Sequence, residues 1–267
     1  MKILIIGGGN MGATYARAFV RTRIVAKADM LLLEKSAEKA ELLRAEDIGT
    51  VFSEPEECLS QADLIIIAVK PQDAKVLFAR MAVMADPRQL YLSIMAGVRM
   101  DSIEDALGVG KIVRAMPNLP AQIGMGMSAF TCTPLVTRVE LAMVQNLLNA
   151  TGKTLYVENE DMLDAVTAIS GSGPAYVFYM MDALIASAKN MGFSAAEAEM
   201  LVATTFAGAT ELFVQSGLSC QEWIGRVASK GGTTEAALAA FSAGQMGEKL
   251  MQGAEAARLR GVELGKA

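Results

Sequence analysis

Lys2-Ile3-Leu4-Ile5-Ile6 runs without interruption into Gly7-Gly8-Gly9-Asn10-Met11-Gly12, and this junction constrains the fold more than any other stretch of the chain. The apolar run reads as a buried strand, and the residues from Ala13 to Val20 read as a helix, so G-x-G-x-x-G at Gly7, Gly9 and Gly12 sits in a strand-turn-helix context. Each glycine has its own task in such a turn. Gly7 permits the tight bend, Gly9 lets the backbone approach a pyrophosphate, and Gly12 lets the helix lie close to the strand. The junction points to a dinucleotide-binding domain with Gly7, Gly9 and Gly12 shaping the turn at the phosphates; the alternative is a glycine-rich turn without a ligand.

Strand and helix signals alternate through the first half, as a doubly wound parallel sheet requires. Strands are expected at Met30–Leu33, Leu64–Val69, Leu90–Ser93, Lys111–Ala115, Met127–Thr131 and Thr154–Val157. Helices are expected at 37–45 and from Pro71 through Met84. From Asp161 onward alanine, methionine and leucine recur at helical spacing, which gives a Rossmann-type domain over 1–158 and an all-helical domain over 159–267. The helices of the second domain are expected at 161–170, 174–191, 195–216, 221–228, 233–241 and 248–264. Their apolar residues lie on several faces, and 52% of the chain is hydrophobic against 20% charged, so the helical domain is read as a dimerisation domain.

Composition removes several classes of function. A net charge of −5 supplies no basic footprint for nucleic acid or an anionic membrane. The apolar stretch from Ala165 to Ala188 is interrupted by Ser170-Gly171-Ser172-Gly173-Pro174, which favours a core or interface helix over a membrane span. Four apolar residues after Lys2 are too few for a signal peptide, and three scattered cysteines, Cys58, Cys132 and Cys220, indicate neither disulfides nor a thiolate metal site. The expected setting is the cytoplasm, and no metal is expected. Histidine is absent, so any proton transfer uses another group.

A second glycine turn lies late in the chain, where Ser229-Lys230-Gly231-Gly232-Thr233-Thr234 leads into Glu235-Ala236-Ala237-Leu238. Unpaired N–H groups at a helix start can hold a small carboxylate, and the two threonine hydroxyls stand beside that place. The plainer reading is a glycine stop followed by a threonine-capped helix.

Taken together, GGGNMG (7–12), AVKPQ (68–72), RAMPN (114–118), SGSGPAYVF (170–178) and SKGGTT (229–234) resemble pyrroline-5-carboxylate reductase over nearly the whole chain. The resemblance implies an enzyme that reduces 1-pyrroline-5-carboxylate to L-proline with NADPH or NADH, acting as a homodimer or larger assembly. It implies a substrate carboxylate on the amides of Gly232, Thr233 and Thr234 with Ser229 nearby, and Thr234 as the residue that gives a proton to the ring nitrogen or orients it. It further implies that Gly9, Asn10 and Met11 touch the pyrophosphate, that Ala68, Val69, Lys70 and Pro71 line the cofactor and that Ala96 and Gly97 approach the nicotinamide. For Lys70 a catalytic ammonium and a backbone contact stand equal, and Asn118 is either a ligand contact or part of a stiff turn.

Cofactor choice stays open on the sequence. Glu34 lies about 20 residues beyond Gly12, where an acid accepts the ribose 2′-hydroxyl of NAD, while Lys35 and Ser36 could serve a 2′-phosphate. Two other classes remain in view. A β-hydroxyacid-type dehydrogenase would rely on a lysine such as Lys189 or Lys230, and a non-catalytic nucleotide sensor would need no intact SKGGTT turn.

Overall fold

The structure, a computed structural model, describes residues 1–265. The described residues divide into two compact units, 1–172 together with 257–265, and 173–256. The first unit is built on an eight-stranded sheet, with β1 at Ile3–Ile6, β2 at Met30–Leu33, β3 at Thr50–Phe52, β4 at Leu64–Ile67, β5 at Leu90–Ser93, β6 at Ile112–Met116, β7 at Gly126–Cys132 and β8 at Gly152–Tyr156. Between them run α1 (Asn10–Arg21), α2 (Ala37–Ala45), α3 (Pro71–Met81), α4 (Met100–Leu107) and α5 (Arg138–Asn149).

The strand order is β3-β2-β1-β4-β5-β6-β7-β8, and neighbours pair in parallel except β6 with β7. The order reverses at β1, so the turn after β1 opens at the place where parallel sheets bind nucleotides. Every residue of β1, β2, β4 and β5 is buried, because helices cover both faces. Alternate residues serve opposite layers: Ile3, Ile5, Leu32, Leu64 and Ile66 join Tyr15 and Phe19 on one side, while Leu4, Ile6, Leu33, Ile65 and Ile67 join Phe78 and Met81 on the other. Each such side chain contributes about 1.5–3 kcal/mol by leaving water.

Helices continue from 162 onward as α6 (Met162–Val166), α7 (Gly173–Asn190), α8 (Ala195–Gln215), α9 (Cys220–Val227), α10 (Thr233–Ala243) and α11 (Met246–Leu264). The change from strand to helix falls after β8, near residue 158, but the compact units divide at Ser172–Gly173. The difference arises because α6 is tied to the sheet. Arg114 of β6, with only 3% of its side chain exposed, donates to Glu160 Oε1 (2.9 Å) and Asp164 Oδ1 (3.3 Å). Glu160 also accepts the Met100 N–H at 2.9 Å. A second difference concerns the Ser-Gly-Ser-Gly run. It does not interrupt the helical chain but widens it into a π-turn over Thr167–Gly171, where the Ser172 N–H reaches the Thr167 carbonyl at 2.8 Å.

In the second unit α7 packs on α8, and the helices carry little interior of their own: only Ala198 and Val202 of α8 are buried, and none of α7, α9 or α10. Phe178, Tyr179, Met200, Leu212, Phe213 and Phe241 remain exposed in a single chain. No helix among the described residues is long and apolar enough to cross a membrane. Three helix starts are closed by reciprocal capping boxes, Thr137 with Glu140, Ser194 with Glu197, and Ser219 with Glu222.

Candidate active site

The glycine turn after β1 separates into residues the chain itself requires and one it does not. Gly7 has φ +106°, and a Cβ there would come within 2.8 Å of the Ala68 carbonyl oxygen, where β4 ends. A Cβ at Gly12 would overlap the Gly7 carbonyl oxygen as α1 crosses the turn. Gly9 has φ −71° and ψ −173°, which any residue adopts, and a Cβ there would meet no atom within 4 Å. The fold therefore gives no internal reason for glycine at position 9. A group from outside the chain that needs the backbone at close range does give one. Gly9 is also the N-cap of α1 and offers no side-chain oxygen to its first turn, so the amides of Asn10, Met11 and Gly12 lie where a helix supplies no carbonyl partner. This loop fits a dinucleotide pyrophosphate.

Two further segments border the same end of the sheet. Ala68 and Val69 follow β4, with the Ala68 N–H held by the Ile6 carbonyl at 2.8 Å; Lys70 is the exposed N-cap of α3 and Pro71 its first residue. Ala96 and Gly97 follow β5. Gly97 has φ +77° and is buried against the end of α11, where a Cβ would lie 3.1 Å from the Gly265 nitrogen and 3.3 Å from the Gly261 carbonyl oxygen. The loop is then anchored through Arg99, which donates to Asp161 Oδ1 at 2.7 Å.

Glu34 directly follows β2 and is 6% exposed. Its carboxylate accepts the Gly8 N–H at 2.7 Å and the Ser36 N–H at 2.8 Å, which brings it directly behind the glycine turn. Ser36 caps α2 by accepting from the Lys39 N–H at 3.5 Å. Lys35 points its ammonium to Asp73 in the first turn of α3 at 2.8 Å, and this hydrogen bond raises the lysine pKa and lowers that of Asp73.

In the second unit, the late turn has the geometry of a helix start capped by glycine. Gly231 has φ +72°, and the Gly232 N–H is donated to the Ser229 carbonyl at 2.9 Å, which closes the turn. Gly232 is the N-cap of α10 with no side-chain cap, and a Cβ there would lie 2.5 Å from Ser229 Oγ. The Gly232 amide expected to hold a carboxylate is thus already committed. The first-turn amides of Thr233 and Thr234 lie where the helix supplies no carbonyl acceptor. Glu235, in the first turn of α10, reaches back to accept the Gly231 N–H at 2.6 Å. Thr234 is half-buried; Thr233, Ser229 and Lys230 are exposed, as is Lys189 near the end of α7.

Asn118 is a structural brace. Its Nδ2 donates to Ser170 Oγ at 3.1 Å and its Oδ1 accepts the Met127 N–H at 2.8 Å, so both ends of the amide join the π-turn to β7. Arg114, Glu160 and Asp164 were likewise not singled out as a set; the only signal was charge inside an otherwise apolar strand and at the helix that follows β8.

Comparison with known proteins bears on both units. The family model described as pyrroline-5-carboxylate reductase dimerisation matches residues 160–264, and the one described as NADP oxidoreductase, coenzyme F420-dependent, matches residues 2–97. The pyrroline-5-carboxylate reductase of Pseudomonas aeruginosa is 34% identical over 264 residues, covering 98% of this chain and 96% of that one. The enzyme of the same name from Aquifex aeolicus is 36% identical over 236 residues, covering 88% and 86%. Among solved structures, a Plasmodium falciparum pyrroline carboxylate reductase with NADP bound superposes with a TM-score of 0.91 at 26% identity, covering 99% of this chain and 98% of that one.

Proposed function

The chain belongs to the pyrroline-5-carboxylate reductase family, and from that premise we infer that it reduces 1-pyrroline-5-carboxylate to L-proline with NADPH or NADH, the last step of proline biosynthesis. The observation that carries this reading is the contrast among the fingerprint glycines. Gly7 and Gly12 answer to the fold, while Gly9 leaves room for something the chain does not contain.

When bound, the nicotinamide supplies a hydride to the imine carbon. The electron pair of the C=N bond ends on the ring nitrogen, which carries or gains one proton. The chain's own residues provide grip and orientation. Amides of Gly9, Asn10 and Met11 hold the pyrophosphate, with Gly7 and Gly12 shaping the turn, and Glu34, Lys35 and Ser36 stand at the adenosine end. Ala68, Val69, Lys70, Pro71, Ala96 and Gly97 border the remainder. The amides of Thr233 and Thr234 take the substrate carboxylate, Gly232 and Ser229 form the turn that exposes them, and the Thr234 hydroxyl donates to the ring nitrogen or orients its protonated form. A cyclic imine takes a proton readily from water, which accommodates a chain without histidine.

The helical unit is read as half of a homodimer or of a larger assembly of dimers, supported by the match to a dimerisation family and by the large apolar side chains left exposed in one copy. A cytoplasmic setting is supported by three free thiols, of which Cys58 is buried, burial pushing its pKa up to about 12. The test is oxidation of NADH and of NADPH in the presence of pyrroline-5-carboxylate, with proline identified as product. Absence of oxidation with both coenzymes overturns the reading.

A further inference from the structure

We propose that Glu34 makes this enzyme select NADH over NADPH, an inference that rests on the glycine turn being the dinucleotide site. A carboxylate has about four acceptor positions, two on each oxygen. In Glu34 one position on Oε2 is taken by the Gly8 N–H (2.7 Å) and one on Oε1 by the Ser36 N–H (2.8 Å). Each oxygen keeps one acceptor position. That arrangement complements the vicinal hydroxyls of an adenosine ribose, which are both donors. A phosphate in place of the 2′-hydroxyl offers no donor at neutral pH and carries about −1.5 to −2 charges toward the carboxylate.

The carboxylate is also held against retreat. A Cβ at Gly8 would lie 2.9 Å from Glu34 Oε2 and 2.5 Å from Leu43 Cδ1, so the acid and the leucine together fill the room behind the turn. Rotating the carboxylate outward to admit a phosphate would leave the Gly8 and Ser36 amides without their acceptor, a penalty the diol does not incur. The neighbouring cation is turned elsewhere, since Lys35 is bound to Asp73 at the start of α3. The first turn of α2 adds a further acid, Glu38.

The test is equilibrium binding of NADH and NADPH to the substrate-free protein, followed by nicotinamide fluorescence. The wild type is expected to bind NADH at least about threefold tighter, and nearer tenfold by the charge involved, which corresponds to about 1.4 kcal/mol. Glu34→Gln, checked for folding by circular dichroism, weakens NADH and brings the two coenzymes within about threefold of each other. If that variant does not fold, an NADH analogue lacking the adenosine 2′-hydroxyl serves on the wild type and binds about tenfold more weakly than NADH. A wild-type ratio below threefold, an unchanged ratio in folded Glu34→Gln, an undiminished affinity for the deoxy analogue, or loss of NADPH affinity alone in Lys35→Ala overturns the proposal while leaving the family reaction intact. Failure of both coenzymes to bind overturns the dinucleotide site itself.

Discussion

The carbonyl oxygen of Gly7 occupies the place where a side chain on residue 12 would begin, so the turn and the first helix interlock at a single atom. Nothing comparable surrounds Gly9, and the two positions therefore separate stability from binding. Gly12→Ala is expected to dislodge α1 from the turn, lowering the unfolding midpoint and dinucleotide affinity together. Gly9→Ala is expected to leave the unfolding free energy within about 0.5 kcal/mol of wild type and to weaken NADH binding at least about tenfold. Denaturant melts and coenzyme titration of the two variants check this; equal effects on both properties would refute the division.

Thr234 sits in the first turn of α10, but the cap is Gly232 and no side-chain cap is made there. Thr234→Ala is accordingly expected to keep its stability and coenzyme affinity, while kcat falls on the order of a hundredfold, as for loss of a donor aimed at a reacting atom. Steady-state kinetics with pyrroline-5-carboxylate decide it, and unchanged turnover removes Thr234 from the reaction.

Arg114 is buried between Glu160 and Asp164 and links β6 to the start of α6. Arg114→Leu leaves two acids without their principal cation and is expected to destabilise the protein by about 3–5 kcal/mol. Adding Glu160→Gln and Asp164→Leu to the same chain is expected to recover most of the loss, measured by urea denaturation. A single-variant loss under about 1 kcal/mol would show that Arg99 suffices.

Glu140 closes the capping box of α5 and meets Lys111 at 2.8 Å. Burial alone would raise its pKa, but Lys111 and the amide and hydroxyl of Thr137 together hold it below the usual carboxylate range. A depressed folded-state pKa contributes stability that is present above the unfolded value, near 4.3, and is lost as pH falls through the folded one. The stability gap between wild type and Glu140→Gln is therefore expected to be full at pH 7 and to close as pH falls below the unfolded value and through the lower folded one. Thermal melts across that range would show a constant gap if the interaction were absent.

Where one physical pattern dominates, the chain is legible as sequence. β1, β2, β4 and β5 are buried on both faces and appear as plain apolar runs, and the glycine fingerprint marks its own turn. β3 is a three-residue edge strand, exposed to half-buried, and carries no such pattern. The π-turn at Thr167–Gly171 is not legible because serine and glycine signal a break, whereas the chain stays helical in a wider coil, with Gly171 close against Met116. The commitment of the Gly232 amide to Ser229 and the hold of Gly8 and Ser36 on Glu34 are relations between backbone and side chain that spacing alone does not encode.

The three capping boxes have a consequence beyond helix stability. Thr137, Ser194 and Ser219 fill the amide-rich mouths of their helices with the chain's own oxygen, whereas the helices that begin after Gly9 and Gly232 receive none. Free phosphate and the other small anions of a cell meet shuttered doors at the former. Competition for positive helix ends is thereby kept away from the starts of α5, α8 and α9 and left open at the two that glycine leaves ajar.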